Sequence, residues 1–395
     1  MVFMERYDIV VVGVGPAGSS VARVCAENGL NVLAIEKRQE IGSPKRCGEG
    51  LSKSSAERMG IEVKEWWIRQ TIYGASVYAP NGKCVRIDYE GPEGWVIERK
   101  LFDKFLATEA ANAGAKIIAK AEATCVERDK DGIKVKIKRG NELHYVHTKI
   151  LVACDGIESK IARMMGMNTA LKLIDTASAV QYEMANVDID EDRIELYFGN
   201  NIAPGGYVWI FPKGKRVANV GIGVRAPMAK KRAIEYLNEF IAKHEGLANG
   251  SIIEVNAGGV PVGGFIKDMV MDNFMVVGDA AHQVNPIHGG GIAEAYIAGR
   301  IAGNVASDAI RKGDCSAKTL SKYNKIWWSE RGNKLSRILK LRKVVESLSD
   351  SELNWLAEYL KGEDLVRLAR SSGLKRLAMI LMKKPKLIKL AKSLL

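Results

Sequence analysis

The sequence predicts an α/β fold: a Rossmann-like dinucleotide-binding domain, an antiparallel-sheet domain interleaved with it, and a helical C-terminal segment. Three observations lead there. Residues 7–38 run strand, glycine turn, helix, strand, which is the start of a βαβ unit. Short alternating runs such as IKVKIKRG and LHYVHTKILVACDG fill 115–153, with further strands over 176–224. From about residue 316 the apolar spacing is helical to the end, with Pro385 its only sharp break.

The opening unit carries Gly13-Val14-Gly15-Pro16-Ala17-Gly18 directly after the apolar strand YDIVVV. Glycine suits a tight turn whose backbone must approach a pyrophosphate, and the helix that follows offers free N–H groups and a positive dipole end. Glu36 closes the next strand 18 residues beyond Gly18, the place of a carboxylate bound to ribose hydroxyls. A carboxylate there disfavours a 2′-phosphate, which leaves FAD or NAD.

A second segment chooses between them. In FMVVGDAAHQVNPIHGGGI (274–292), Asp279 ends a buried strand and Gly289-Gly290-Gly291 precede a helix rich in small residues. Asp279 can accept bonds from ribityl hydroxyls, and the helix start can face the end of a reduced flavin where negative charge gathers. The third segment, Cys154-Asp155-Gly156-Ile157-Glu158-Ser159, follows the strand ILVA and reads alone as a turn with a helix cap. Elsewhere, residues 43–52 are turn-rich, 76–90 form a hairpin about Asn81-Gly82, and 99–114 form a helix.

Composition bounds the class. The chain has 395 residues, 47% hydrophobic and 27% charged, as expected of a globular protein. It has no apolar run long enough to span a bilayer, and its start does not resemble a signal peptide. The six cysteines form no C-x-x-C pair, so no zinc or iron–sulfur ligand set is expected and a reducing cytoplasm is the simplest setting. The net charge of +13 is carried by the tail, since residues 311–395 hold 21 Lys/Arg against 8 Asp/Glu. That imbalance suggests an anionic partner, membrane or nucleic acid; nucleic acid is disfavoured because the basic residues alternate with Leu and Ile, not with stacking aromatics.

Together the glycine, DG and GD segments resemble the flavoprotein group that includes p-hydroxybenzoate hydroxylase, in which they build one FAD site. Two further stretches, Arg46-Cys47-Gly48-Glu49-Gly50 and Pro204-Gly205-Gly206-Tyr207-Val208-Trp209-Ile210-Phe211-Pro212, resemble signatures of the geranylgeranyl reductase family, nearest to its archaeal lipid reductases. The resemblance covers about residues 6–330. It implies FAD contacts at Gly13, Gly15, Ala17, Gly18, Glu36, Lys37, Cys47, Gly48, Gly50, Arg99, Ala123, Asp279, Gly291 and Ile292. One departure is visible: where the hydroxylases have DGxxSxxR, Ala162 holds the arginine position and Arg163 is next. That speaks against hydroxylase-style NADPH handling.

The implied layout is an FAD-binding domain from 1–75, 95–165 and 270–312, a substrate domain from 76–94 and 170–269, and a helical region at 313–395. Strand alternation puts Tyr207, Trp209 and Phe211 on one face. That face is either sheet core or the floor of a tunnel for a long apolar chain, and the resemblance favours the tunnel. The implied reaction is hydrogenation of the double bonds of geranylgeranyl chains on ether lipids, with Cys47 and Glu49 as candidate proton donors. The alternative is an aromatic hydroxylase of the same fold, using NADPH and O₂. A ferredoxin or a reduced nicotinamide or deazaflavin would supply electrons.

In the tail, residues 365–395 hold nine Lys/Arg and no Asp/Glu, and Leu387, Ile388, Ala391, Leu394 and Leu395 recur at helical spacing. This predicts a basic amphipathic helix that either lies on an anionic membrane or packs its apolar stripe on the body. The expected setting is cytoplasmic and peripheral to the membrane.

Overall fold

A computed structural model describes residues 4–369 and 373–394. β1 (Glu5–Val12), α1 (Pro16–Glu27) and β2 (Val32–Ile35) form the opening unit where the sequence placed it. There follow β3 (Gly50–Ser52), α2 (Lys53–Met59), β4 (Ile68–Ile72), the hairpin β5 (Gly74–Tyr78) and β6 (Cys84–Asp88), β7 (Gly94–Ile97) and α3 (Arg99–Asn112). Strands β8 (Lys116–Ile118), β9 (Glu122–Asp129), β10 (Gly132–Arg139) and β11 (Glu142–Ala153) lead to α4 (Lys160–Met164). Next come β12 (Thr176–Ala185), β13 (Arg193–Tyr197), β14 (Tyr207–Gly214), β15 (Val217–Arg225), α5 (Ala233–Lys243) and β16 (Ser251–Pro261). After β17 (Val270–Met271) and β18 (Phe274–Val276), α6 (Ile292–Lys312) begins the helical remainder.

Three sheets result. The first runs β17-β18-β11-β1-β2-β8, with β9 and β10 attached through β11. Its central strands β11, β1 and β2 are parallel; β2 is wholly buried, and the buried stretches Ile9–Val12 of β1 and Ile150–Ala153 of β11 read as unbroken apolar runs. The second runs β16-β12-β15-β14-β13-β5-β6 and is largely antiparallel, with one parallel pair, β13 on β5. The third is the small β3-β7-β4. The expected hairpin stands, with Gly82 at φ +83° in its turn and the Ala79 N–H donating to the Lys83 carbonyl at 2.9 Å.

The small residues of α6 have a packing purpose. A Cβ on Gly299 would meet the Ala17 carbonyl oxygen at 2.4 Å, and one on Gly303 would meet Val24 at 2.9 Å. Helices α6 and α1 therefore touch backbone to backbone, and together they cover the parallel sheet.

The tail is helical as expected, but it breaks more often than Pro385 alone would require. α7 (Ala317–Leu320), α8 (Lys322–Trp327), a π-helical turn (Trp328–Gly332) and α9 (Asn333–Glu346) precede α10 (Asp350–Tyr359) and α11 (Gly362–Ala369). α12 (Leu374–Met382) and α13 (Ile388–Leu394) complete it. Leu387, Ala391 and Leu394 are buried together with Leu377, Ile380 and Leu381. The stripe expected to face either lipid or protein is thus used in protein packing; Leu395 lies outside the described residues. What remains outward is Met379, Met382 and Ile388 among Lys383, Lys386 and Lys389. No described helix is long and apolar enough to cross a membrane.

Candidate active site

The glycine turn after β1 presses against the DG segment. Gly13 has φ +97°, and a Cβ there would stand 2.3 Å from the Cys154 carbonyl oxygen. Only glycine meets both demands. Gly15, the N-cap of α1, has nothing within 4 Å of where its Cβ would be, and the first turn of α1 contains no acidic residue. An open space therefore lies before a helix N-terminus whose dipole is uncompensated. Glu36 is drawn to the same turn: its carboxylate accepts from the Val14 N–H at 3.1 Å and the Arg38 N–H at 3.0 Å. Ala17 and Ala123 are buried beside this region, and the Ala121 N–H donates to the Glu36 carbonyl at 2.8 Å. Lys37 instead reaches Glu158, Nζ to Oε2 2.9 Å.

Two carboxylates flank the turn. Asp155 accepts the Ile161 N–H at 3.0 Å on Oδ2, while its buried Oδ1 has no partner, and burial pushes this carboxyl upward. Burial likewise raises Asp279, opposed by nearby Arg99. Asp279 lies beside Gly291, which caps α6 just before the buried Ile292. The Ser159 hydroxyl donates to the Ala280 carbonyl at 3.1 Å and so ties the DG to the GD segment. An open helix N-terminus, a ribose-suited carboxylate, an orphaned buried oxygen and a second glycine-capped helix all fit FAD.

Strand β14 alternates as expected. Val208 and Ile210 are fully buried in the core between the second sheet and α5, while Tyr207, Trp209 and Phe211 share the other face, ring centroids 5.9 and 6.4 Å apart in succession. That face closes on the 46–50 turn. A Cβ on Gly48 would be 3.1 Å from the Phe211 ring and 3.4 Å from Trp209 Nε1, and one on Gly50 would also be 3.1 Å from Phe211. Trp209 Nε1 donates to Gln181 Oε1 at 2.8 Å, and Gln181 Nε2 donates to the Cys47 carbonyl at 3.1 Å. The Tyr207 hydroxyl donates to the His288 carbonyl at 2.7 Å, which links the aromatic face to the GD loop.

Cys47 sits where these parts meet. Its sulfur accepts the Glu49 N–H at 3.2 Å. Arg99, the first residue of α3, makes a two-pronged bond to Asp103 at 3.0 and 2.9 Å. Burial works against the Arg99 charge, but Asp103 and Cys47 outweigh it and hold the guanidinium firmly protonated. The structure thus gathers Cys47, Gly48, Gly50, Arg99, Asp279 and the three aromatics into one region.

Glu49 differs from its expected role. It is 0% exposed, and both carboxylate oxygens are taken: Oε1 accepts the Arg99 N–H at 2.8 Å, while Oε2 accepts Lys213 Nζ at 2.6 Å and Asn219 Nδ2 at 2.7 Å. Both oxygens are thus engaged by N–H donors, and the geometry makes Glu49 an anchor of the turn. Gln181, Lys213 and Asn219 were missed from the sequence. Alternation could have flagged Lys213, two residues beyond Phe211 on the same face.

Away from this region, His147, Asp129 and Asp131 bring potential metal ligands together, a grouping the cysteine count could not disclose. Lys134 and Arg6 already pair with the two carboxylates at 3.2 Å.

Residues 175–260 match the geranylgeranyl reductase catalytic domain, and residues 8–88 match an FAD binding domain. The chain is 45% identical to the digeranylgeranylglycerophospholipid reductase of Methanocaldococcus jannaschii over 99% of both chains. Its fold superposes on a geranylgeranyl bacteriochlorophyll reductase-like protein of Thermoplasma acidophilum with a TM-score of 0.92, at 37% identity and with both chains fully covered. A triple mutant of the flavin-dependent brominase Bmp2 shares the fold alone, with TM-score 0.75 and 19% identity over 97% of this chain and 100% of that one.

Proposed function

The chain belongs to the digeranylgeranylglycerophospholipid reductase family, and we propose that it hydrogenates the double bonds of geranylgeranyl chains on ether phospholipids. The observation that carries this reading is the aromatic face of Tyr207, Trp209 and Phe211 closing on the Cys47 turn. Such a surface suits a long apolar chain. Ala162 in place of the hydroxylase arginine also weighs against the NADPH- and O₂-using alternative.

FAD, held by the Gly13–Gly18 turn, Glu36, Asp279 and the start of α6, would supply the hydride. The protein's own groups do the rest. The aromatics flank the chain and exclude water, so that an isolated alkene meets a dry surface. The Cys47 thiol is the proton donor, its sulfur fixed by the Glu49 N–H. Arg99 stands beside Cys47 and Asp279 and balances negative charge that gathers there on reduction. Electrons come from a separate donor of the ferredoxin, reduced nicotinamide or deazaflavin class.

We assign residues 1–75, 95–165 and 270–312 to the cofactor, 76–94 and 170–269 to the lipid, and 313–395 to a helical region. We assign that region to a peripheral contact with an anionic membrane on the cytoplasmic side. Met379, Met382 and Ile388 are its apolar tips, and Lys383, Lys386 and Lys389 are its cations. The test of the activity is the mass of a geranylgeranyl ether lipid after anaerobic incubation with dithionite-reduced protein. A gain of two hydrogens per double bond is expected. NADPH consumption coupled to O₂ with a hydroxylated aromatic product overturns it.

A further inference from the structure

Behind the 45–50 turn, two lysines and four glutamates from six places in the chain form one ion-pair set, buried at Lys45, Lys213 and Glu49 and partly exposed at Glu98, Glu183 and Glu254. Lys213 on β14 has a side chain only 1% exposed, and its Nζ lies 2.6 Å from Glu49 Oε2, 2.8 Å from Glu183 Oε2 and 3.0 Å from Glu98 Oε2. Lys45, 2% exposed, reaches Glu254 at 2.8 Å and Glu49 at 3.4 Å, and also pairs with Glu183. Burial alone would discharge Lys45, yet Glu49, Glu183 and Glu254 outweigh it and hold the ammonium well above its ordinary range. Burial would likewise favour a neutral Glu183, but Lys213 and Lys45 hold its carboxyl below the usual value. Charges placed so far from water persist only as a fully paired set.

The set joins two elements in matching positions. Lys213 stands two residues beyond Phe211, and Glu49 stands two residues beyond Cys47. The Lys213–Glu49 pair therefore couples the strand of the aromatic face to the turn of the thiol. Glu49 also holds φ +70°, a left-handed conformation that a non-glycine residue keeps only when its surroundings enforce it. The four donors on its carboxylate provide that enforcement. Its N–H, aimed by this same backbone twist, is the donor to the Cys47 sulfur.

We propose that Lys213 is a positioning residue: through Glu49 it fixes the distance between the Cys47 thiol and the aromatic face, and with it the depth at which a double bond can react. The consequence for rate rests on the alkene-reductase reading above; the consequence for the turn does not. Near-attack geometry is steep, with a displacement of about 1 Å capable of costing on the order of 100-fold in rate.

Two measurements on FAD-loaded Lys213→Met test this. With dithionite as reductant and a geranylgeranyl ether lipid, kcat should fall about 10- to 100-fold while KM changes little and FAD is retained. Alkylation by iodoacetamide, resolved by peptide mass, should become faster at Cys47 but not at the exposed Cys84. The double variant Glu49→Gln/Lys213→Met removes both charges. It should recover thermal stability but neither kcat nor the slow alkylation of Cys47, and it serves alone if the single variant does not fold. A double variant with native kcat and native Cys47 reactivity makes the pair merely structural and overturns the proposal. If the unaltered protein reduces no alkene, the functional reading fails while the alkylation rates still decide the positioning.

Discussion

A methyl group on Gly18 would stand 1.8 Å from the carbonyl oxygen of Gly13. Helix α1 thus leaves the glycine turn in direct backbone contact with it. Gly15, between the two, borders open space. One short motif contains residues needed for the fold and a residue needed for the ligand, and they can be separated.

Gly15→Val should fold with a near-native thermal midpoint yet purify without yellow colour, because its side chain enters the space before the helix. Gly18→Ala should lose about 3 kcal/mol or more, since neither backbone can yield. Glu36→Ala should weaken FAD retention. Visible flavin absorbance per protein and thermal melting read all three, and a Gly15→Val protein with full FAD would refute the assignment.

Trp209 combines a ring contact with a hydrogen bond, so truncation confounds the two. Trp209→Ala should cost about 3–5 kcal/mol by leaving a cavity between Gly48 and Gly221. Trp209→Phe keeps an aromatic surface but loses the donor to Gln181 and part of the ring volume against Gly221, for about 1–3 kcal/mol. The Phe variant should raise KM for the lipid more than it lowers FAD content. Equal losses in lipid binding and flavin would mark Trp209 as core.

The buried charges also make a prediction about pH. Glu183 is held below its ordinary 4.5 in the fold, so as pH falls the unfolded chain takes up the proton first. Its contribution is complete above 4.5 and disappears as pH drops through the lowered folded value. Glu183→Gln should destabilise the protein by about 3 kcal/mol near neutrality, since it leaves Lys45 and Lys213 undercompensated. In urea titrations, the gap between wild type and variant should hold constant down to about pH 4.5 and narrow below it. A gap that widens in acid would reverse the sign.

In the tail, packing and the proposed membrane contact fall on different residues of one helix. Leu381→Ala should destabilise by about 2–5 kcal/mol, as a fully buried side chain. Met379→Ser with Met382→Ser should leave melting unchanged, since these side chains are 53% and 40% exposed, but should reduce co-flotation with anionic vesicles. Unchanged flotation would remove the membrane contact.

Elements that declare themselves locally were legible in the sequence. The strand–glycine–helix start, the Asn81-Gly82 hairpin and the helix at Arg99 each carry their own turn or periodicity, and all three stand in the structure. Alternation also placed Tyr207, Trp209 and Phe211 on one face correctly. What alternation cannot give is the partner across that face. Glu183, Lys213 and Glu254 are isolated charges in the sequence, and only the β12–β15, β12–β16 and β14–β15 pairings bring them together; Lys45 reaches them from the turn before β3. For the same reason Glu49 looked like a free acid, and the tail's apolar stripe could be assigned to lipid or protein with equal ease.

Strand β11 has a further consequence, for the order in which the chain can be assembled at the ribosome. β1 pairs with it in parallel, Glu5 opposite Val146 and Val12 opposite Ala153, and β18 joins its far side only at Phe274. The first strand to leave the ribosome therefore waits for well over a hundred residues with one edge unpaired. The first sheet, although it begins the chain, cannot close until every strand of the second has been made. Interrupted synthesis would leave a sticky fragment, not a small folded flavoprotein.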